Sequence, residues 1–177
     1  MTITHTTTWL DNPDTTFHAL LASLPLQPRS IRLYGKTIAM PRLTSYHGDR
    51  PYTYSGQTHD PSPWPPALQT LRERLSHELG VPFNVCLANL YRDGKDSVSR
   101  HSDDEPGVGP TIASLSLGAP RRFKVQPKDK ATPPTTYLLE AGDLLVMQDC
   151  QHSHDHWVPK TATHVGPRLN LTFRVQA

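Results

Sequence analysis

From residue 83 onward the chain is a succession of short β-favouring runs, and their spacing is the strongest constraint on its fold. "FNVCLANLY", "TIASLSLG", "RRFKVQ", "TTYLLEAGDLLVMQ" and "RLNLTFRV" are separated by the turn signals "RDGKD", "GAPR", "KDKATPP" and "EAGD". Short strands at this spacing point to a sandwich or barrel, the jelly-roll group included. Two helical stretches come first. Phe17, Leu20, Leu21 and Leu24 follow the capping candidates Asp11, Asn12 and Asp14 at helical spacing. Leu68, Leu71, Leu75 and Leu79 form a second stripe that ends at Gly80, a natural C′ residue. Between them "IRLYGKTIAMPRLTSYHGDRPYTYSG" and "SPWPP", rich in tyrosine and turn residues, read as strands and hairpins. The pattern predicts helices covering one sheet of a jelly-roll-like barrel.

The length of 177 residues suits one domain. Eighteen Lys and Arg against sixteen Asp and Glu leave a net charge of +2, which neither announces a nucleic-acid binder nor excludes a local basic stripe. Cys86 and Cys150 lie in apolar stretches without CxxC spacing and read as buried free thiols in a reducing compartment. "MTITHTTTWLDNPD" has no basic or apolar leader pattern, and no window approaches the roughly 18 apolar residues of a membrane span. These features predict a cytoplasmic protein, or a nuclear one in a eukaryote, without a membrane partner.

"RHSDDE" at residues 100–105 concentrates one histidine and three carboxylates. Alone, such a run is most simply a solvated acidic loop. In an extended segment, however, His101 and Asp103 face the same way. A third ligand from His152, His154, His156 or His164 would complete a 2-His-1-carboxylate site for non-haem Fe(II). The last strand shifts the balance. In "PRLNLTFRVQ", Leu169, Leu171, Phe173 and Val175 share one face, and Arg168, Asn170, Thr172 and Arg174 share the other. Inside a barrel, two buried arginines require an anionic partner. Their planar forks, folding toward each other along about 20 Å of strand, suit a short dicarboxylate.

H-x-D, a distal histidine and R-x5-R together resemble the AlkB-type Fe(II)/2-oxoglutarate dioxygenases, which oxidatively demethylate nucleic acids. The resemblance runs over roughly residues 31–175, through "NLYRDGKDSVSRHSDDE", "SLSLGAPRRF", "GDLLVM", "HWVPK" and "PRLNLTFR". It implies an α+β, mainly β fold: a double-stranded β-helix (jelly-roll) core with N-terminal helices packed on one sheet. It further implies a single domain over 1–177, with helices and recognition hairpins in 1–80 and the catalytic jelly roll in 83–177. His101, Asp103 and His156 match the metal ligands, His156 because "HWVPK" fits the family's His followed by Val-Pro. Asn89, Tyr91, Arg168 and Arg174 match 2-oxoglutarate contacts, and Asn170 lies on the same strand face. Asp104, with Glu105 beside it, matches a substrate-contacting acid. Tyr52, Thr53 and Tyr54 match a base-contacting segment, and Tyr34, Gly35 and Lys36 match a hairpin lying against nucleic acid.

The implied chemistry uses Fe(II), 2-oxoglutarate and O₂. The cosubstrate is decarboxylated to succinate and CO₂, and the hydroxylated N-methyl group leaves as formaldehyde. The implied substrates are N-alkylated bases such as 1-methyladenine and 3-methylcytosine in DNA, and possible RNA substrates, acted on by a monomer. Arg121, Arg122 and Lys124 form a basic run that suits either phosphates or a solvated strand face. Family members specialised for duplex DNA carry a basic cluster between the distal histidine and the arginine pair. Here "VPKTATHVGP" offers only Lys160 and His164, so single strands stand at least level with duplexes. The rival readings are a same-fold oxygenase of protein or lipid, a non-enzymatic nucleic-acid or metal sensor, and a cupin isomerase. "YTY" and Asp104 speak against the first, the retained triad and clamp against the second, and the arginine pair against the third.

Overall fold

The computed structural model describes every residue except Tyr34, Ser55 and Gly56, and describes Arg32, Leu33, residues 52–54 and residues 57–59 by their backbone alone. The chain opens with β1 (Thr2–Thr6), α1 (Pro13–Ser23), β2 (Gln27–Leu33), β3 (Lys36–Gly48), β4 (Tyr52–Tyr54), β5 (Gln57–His59) and α2 (Pro66–Leu79). Eight strands follow: β6 (Val85–Tyr91), β7 (Val98–His101), β8 (Thr111–Gly118), β9 (Arg121–Pro127), β10 (Thr135–Leu139), β11 (Leu144–Gln148), β12 (His154–Val158) and β13 (Arg168–Arg174). Seven strands form a large sheet in the order β1-β11-β8-β13-β6-β3-β2, and four form a smaller one, β10-β9-β12-β7. The pairings within both are antiparallel.

Both helices start on proline at the first turn, where the missing N–H has no intrahelical partner to lose. Asn12 caps α1 by position, without a side-chain bond, and Gly80 ends α2 in the left-handed conformation at φ 65°. The buried stripes Phe17, Leu20 and Leu24, and Leu68, Leu71 and Leu75, pack with Ala88, Leu115, Leu117, Leu169, Leu171 and Phe173 on one face of the large sheet. Full burial of each leucine side chain contributes about 1.5–3 kcal/mol, so this apolar layer is what fixes the helices. A second core joins Tyr91, Ile112, Leu145 and Met147 of the large sheet to Phe123, Val125, Leu139 and Val158 of the small one. The period of two therefore sends alternate residues of each central strand either to the helices or into the space between the sheets.

β2 and β3 pair irregularly. Pro28 faces Leu43 and Ser30 faces Ala39, so Arg29 alone opposes Met40, Pro41 and Arg42. Proline has no N–H for the ladder, and Pro41 sits where the ladder is interrupted. Its carbonyl instead accepts the Ser97 N–H at 2.9 Å. Beside this bulge Arg29, Met40 and Arg42 line the inter-sheet space, together with Thr44 and Tyr46 further along β3.

The basic run on β9 is split by burial. Arg121 is interior and donates to three carbonyls, those of Asp93 (2.9 Å), Asp96 (2.9 Å) and Pro159 (2.8 Å). It staples loops and is withdrawn from any phosphate track, whereas Arg122 remains exposed.

His47 of β3 is fully buried, with Nδ1 2.8 Å from the Pro63 carbonyl and Nε2 3.1 Å from Ser45 Oγ. Burial lowers its pKa below the ordinary 6.5, against the opposing pull of the Pro63 and Ser62 carbonyls. The unfolded chain then binds this proton more readily. The His47 contribution to stability is complete above pH 6.5 and is lost as pH falls from 6.5 toward the folded value. Urea unfolding at pH 7.5 and pH 5 should show a larger acid loss in the wild type than in His47→Gln. Equal losses in the two proteins would refute the assignment.

Candidate active site

His101 ends β7 and His156 is its direct partner on β12, while Asp103 lies two residues beyond β7. The register of two adjacent strands therefore brings together groups 55 residues apart in the chain. Both Nε2 atoms lie 3.6 Å from Asp103, His101 against Oδ1 and His156 against Oδ2. The three ligand atoms fall within 4.8 Å of one another, as a shared metal ion requires. His101 Nδ1 donates to the Ser99 carbonyl at 2.8 Å, which leaves the Nε2 lone pair directed at the group. Phe123 stacks on the His156 ring at 5.4 Å and fixes its plane. His152 and His164 are exposed, and His154 turns to Ser153 Oγ at 2.8 Å, so the geometry gathers His156 and leaves the other three aside.

Asp103 is held on two further sides. Its N–H donates to Gln151 Oε1 at 3.0 Å, and Arg174 Nη2 donates to its Oδ2 at 2.8 Å. Burial by itself would raise the Asp103 carboxyl. The Arg174 guanidinium, joined by the two imidazoles, prevails and holds it far below the usual carboxylate range. Burial opposes charge on His101 as well, but contact with Asp103 wins and its pKa rises. For His156 burial dominates, and its pKa falls to about 4. An anionic carboxylate and a neutral imidazole are the protonation states a cation needs from its ligands.

The group opens on a cleft of about 880 Å³, open space at its mouth included, between the two sheets. β13 runs along its floor, with Asn170, Thr172 and Arg174 lining it. Arg168 is 1% exposed and lies 5.4 Å from the Tyr91 ring. Its Nη2 donates to Ser116 Oγ at 2.9 Å, but Nε and Nη1 are buried with no partner among the described residues. Burial brings its pKa down to about 10. A guanidinium left in this condition fits a carboxylate supplied from outside the chain. The Asn170 amide donates to Ser114 Oγ (2.8 Å) and the Leu115 carbonyl (3.2 Å), and its oxygen accepts from Thr172 (3.1 Å). Asn89 and Tyr91 line the cleft from β6, and Asn89 Oδ1 accepts from Arg42 Nε at 2.7 Å.

The residues matched to substrate are not gathered in the same way. Asp104 points to Lys128 Nζ, 2.8 Å away at the surface, which lowers its pKa. Glu105 is half-buried, with Oε2 unpartnered among the described residues. Gly35 takes φ 76° at the turn before β3, and Lys36 is exposed. Tyr52, Thr53 and Tyr54 form β4, their side chains outside the described set, and Tyr34 lies outside it altogether. Arg29, Met40, Arg42 and Gln151 are the site neighbours that no sequence motif announced. The cue was Pro41 inside a β-favouring run, which marks a bulge.

The 2OG-Fe(II) oxygenase superfamily matches residues 6–174. The chain belongs to that superfamily. Within it the sequence is of the AlkB type. It is 46% identical over 153 residues to the human alpha-ketoglutarate-dependent dioxygenase alkB homolog 3, covering 78% of this chain and 52% of that one. It is 37% identical over 156 residues to the human DNA oxidative demethylase ALKBH2, covering 81% of this chain and 60% of that one. The chain thus spans between half and two thirds of the length of these relatives. Among solved structures, that of OsALKBH1 superimposes with a TM-score of 0.67 at 18% identity, covering 98% of this chain and 96% of the other, which shows the shared jelly-roll fold. Membership implies Fe(II), 2-oxoglutarate and O₂, and the donor set and the orphaned Arg168 suit the first two.

Two expectations follow. His101→Ala, Asp103→Ala and His156→Ala should each abolish binding of Mn(II), used as a redox-stable stand-in, in calorimetry. Gln151→Leu should weaken it about tenfold, and Gln151→Glu, which keeps an acceptor, should lose less. Retained affinity in Gln151→Leu would remove its positioning role. Arg168→Ala should weaken 2-oxoglutarate binding at least about tenfold, with only partial recovery in Arg168→Lys. Unchanged binding in Arg168→Ala would defeat the clamp.

Proposed function

We propose that this protein is an Fe(II)- and 2-oxoglutarate-dependent oxidative demethylase of N-alkylated bases, including 1-methyladenine and 3-methylcytosine, in DNA and in RNA. The observation that carries the reading is a cleft lined by His101, Asp103 and His156 and floored by β13, the strand that also carries Arg168, a buried guanidinium with no anion among the described residues. A metal ligand set on one sheet and a carboxylate receptor on the other suit an enzyme that must hold an organic acid beside its metal. The relatives named for alkB and DNA demethylation support the substrate class.

In this reading His101, Asp103 and His156 hold the iron. Arg168 and Arg174 meet the two ends of 2-oxoglutarate, with Asn89, Tyr91 and Asn170 beside them. Bound iron with its cosubstrate supplies the oxidation of the N-methyl carbon, and the hydroxylated carbon leaves as formaldehyde. The chain's own work is placement. Arg174 bonds Asp103 and so couples the cosubstrate strand to the metal loop. The apolar walls of Leu87, Val98, Phe123, Met147 and Val158 limit water around the reacting carbon. Tyr34, Gly35, Lys36, Tyr52, Thr53 and Tyr54 would meet the nucleic acid, and Asp104 and Glu105 the base. Single strands are handled at least as well as duplexes, since Lys160 and His164 are the only basic groups between β12 and β13. The 177 residues act as one domain and as a monomer in the cytoplasm or nucleus. Among the described residues no helix is long and apolar enough to cross a membrane.

The test is product analysis by the iron-loaded protein on matched single- and double-stranded oligonucleotides carrying 1-methyladenine or 3-methylcytosine. Formaldehyde should appear together with the restored base. Turnover of 2-oxoglutarate without any base restored would overturn the substrate class, and no turnover of either would overturn the enzyme.

A further inference from the structure

We infer that Arg42 selects among methylated bases by their carbonyls: it favours lesions in which the methylated ring nitrogen is flanked by a C=O, and so takes 3-methylcytosine ahead of 1-methyladenine. The inference rests on the reading of the cleft as a base demethylase site and adds to it a rule of preference.

Arg42 is 7% exposed and lines the cleft. It shares the cleft-facing side of β3 with Met40, Thr44 and Tyr46, at the period of two. Two of its nitrogens are fixed by the chain, Nε on Asn89 Oδ1 at 2.7 Å and Nη1 on the Ser97 carbonyl at 3.4 Å. Its outer nitrogen, Nη2, has no acceptor among the described residues. The guanidinium is thus oriented from behind and keeps donors to offer. The cleft supplies no anion for it: Asp103 is the only carboxylate among the described lining residues, and Arg174 and the two imidazoles already surround that group.

The cosubstrate is not the natural recipient. Arg168 and Arg174 both lie on β13, and β3 is separated from β13 by β6. Two strand spacings are about 10 Å. An acid stretched along β13 therefore lies two strands from the Arg42 backbone, with Asn89 of β6 between the two.

Base chemistry then decides. In 3-methylcytosine the methylated N3 lies between a C2 carbonyl and a C4 amino group. In 1-methyladenine the methylated N1 lies between a C2–H and a C6 amino group. Both bases are cations near neutral pH, so charge does not separate them. With the methyl carbon directed at the metal, the atoms flanking the nitrogen are fixed in place. A carbonyl there accepts from Arg42, whereas a C–H or an amino group covers that donor and leaves it unpaired. A site built to donate a hydrogen bond rejects an analogue without the acceptor far better than an apolar pocket rejects a change of shape.

The experiment compares kcat/KM on single-stranded oligonucleotides of one sequence carrying either lesion. The wild type should prefer 3-methylcytosine, and Arg42→Met should lower that preference at least about tenfold, with Arg42→Lys between the two. In the wild type, 2-thio-3-methylcytosine, whose sulfur is a poor acceptor, should fall toward 1-methyladenine. This arm decides the matter if Arg42→Met does not fold. An unchanged preference in Arg42→Met, or full activity on the thio base, would overturn the inference. So would a rise in the 2-oxoglutarate KM with the base preference intact, which would place Arg42 with the cosubstrate. If neither lesion is repaired while 2-oxoglutarate is still consumed, the demethylase reading fails first, and the two failures are distinct.

Discussion

A guanidinium and a carboxylate 2.8 Å apart, Arg174 and Asp103, sit at the point where the two sheets meet. Both are at least nine-tenths buried, so neither charge is tolerable without the other. Removing one partner of such a pair typically costs about 3–5 kcal/mol, because the remaining charge stays in place uncompensated. The pair fixes the loop after β7 against the centre of the large sheet. The histidines need no such help, since strand pairing already sets them face to face. The carboxylate is the one ligand on irregular backbone, and it is the one that receives the charged anchor and the Gln151 bond.

Much of this was legible in the sequence because it follows from period-two alternation. Leu169, Leu171 and Phe173 reached the helices, Asn170, Thr172 and Arg174 reached the cleft, and Arg168 was buried, as their spacing in "RLNLTFR" requires. The helical stripes ending at Gly80 were readable for the same reason. The choice of His156 over His152 and His154 came from resemblance to a family and not from spacing. Three alternating histidines on one turn-and-strand segment look equivalent until β12 is paired with β7.

What stayed hidden depends on departures from regular pairing or on distant partners. β1 carries no long apolar run, and it forms because β11 offers it an edge. There His5 reaches Asp143 at 2.9 Å across 138 residues, a contact no local pattern contains. Arg42 sits beside a proline in an otherwise β-like segment, and no motif marked the cleft-facing side it shares with Met40, Thr44 and Tyr46. Arg121 shared the sequence signature of an exposed basic strand face, yet three carbonyls claim it. Asp104 follows Asp103 in sequence, but adjacent residues of an extended chain point to opposite sides, and Asp104 pairs with Lys128.

The placement of β13 has a consequence for how the molecule assembles. It is the last strand in sequence and stands in the middle of the large sheet, between β8 and β6. Nearly every pairing it makes is non-local, which raises contact order and slows folding. Until residues 168–174 have left the ribosome, β6 and β8 each expose a row of unpaired amides, an open invitation to another chain. A nascent chain released short of this strand would lose both arginines and its sheet closure together. Quality control that recognises exposed strand edges would then remove incomplete molecules without any separate check on the site.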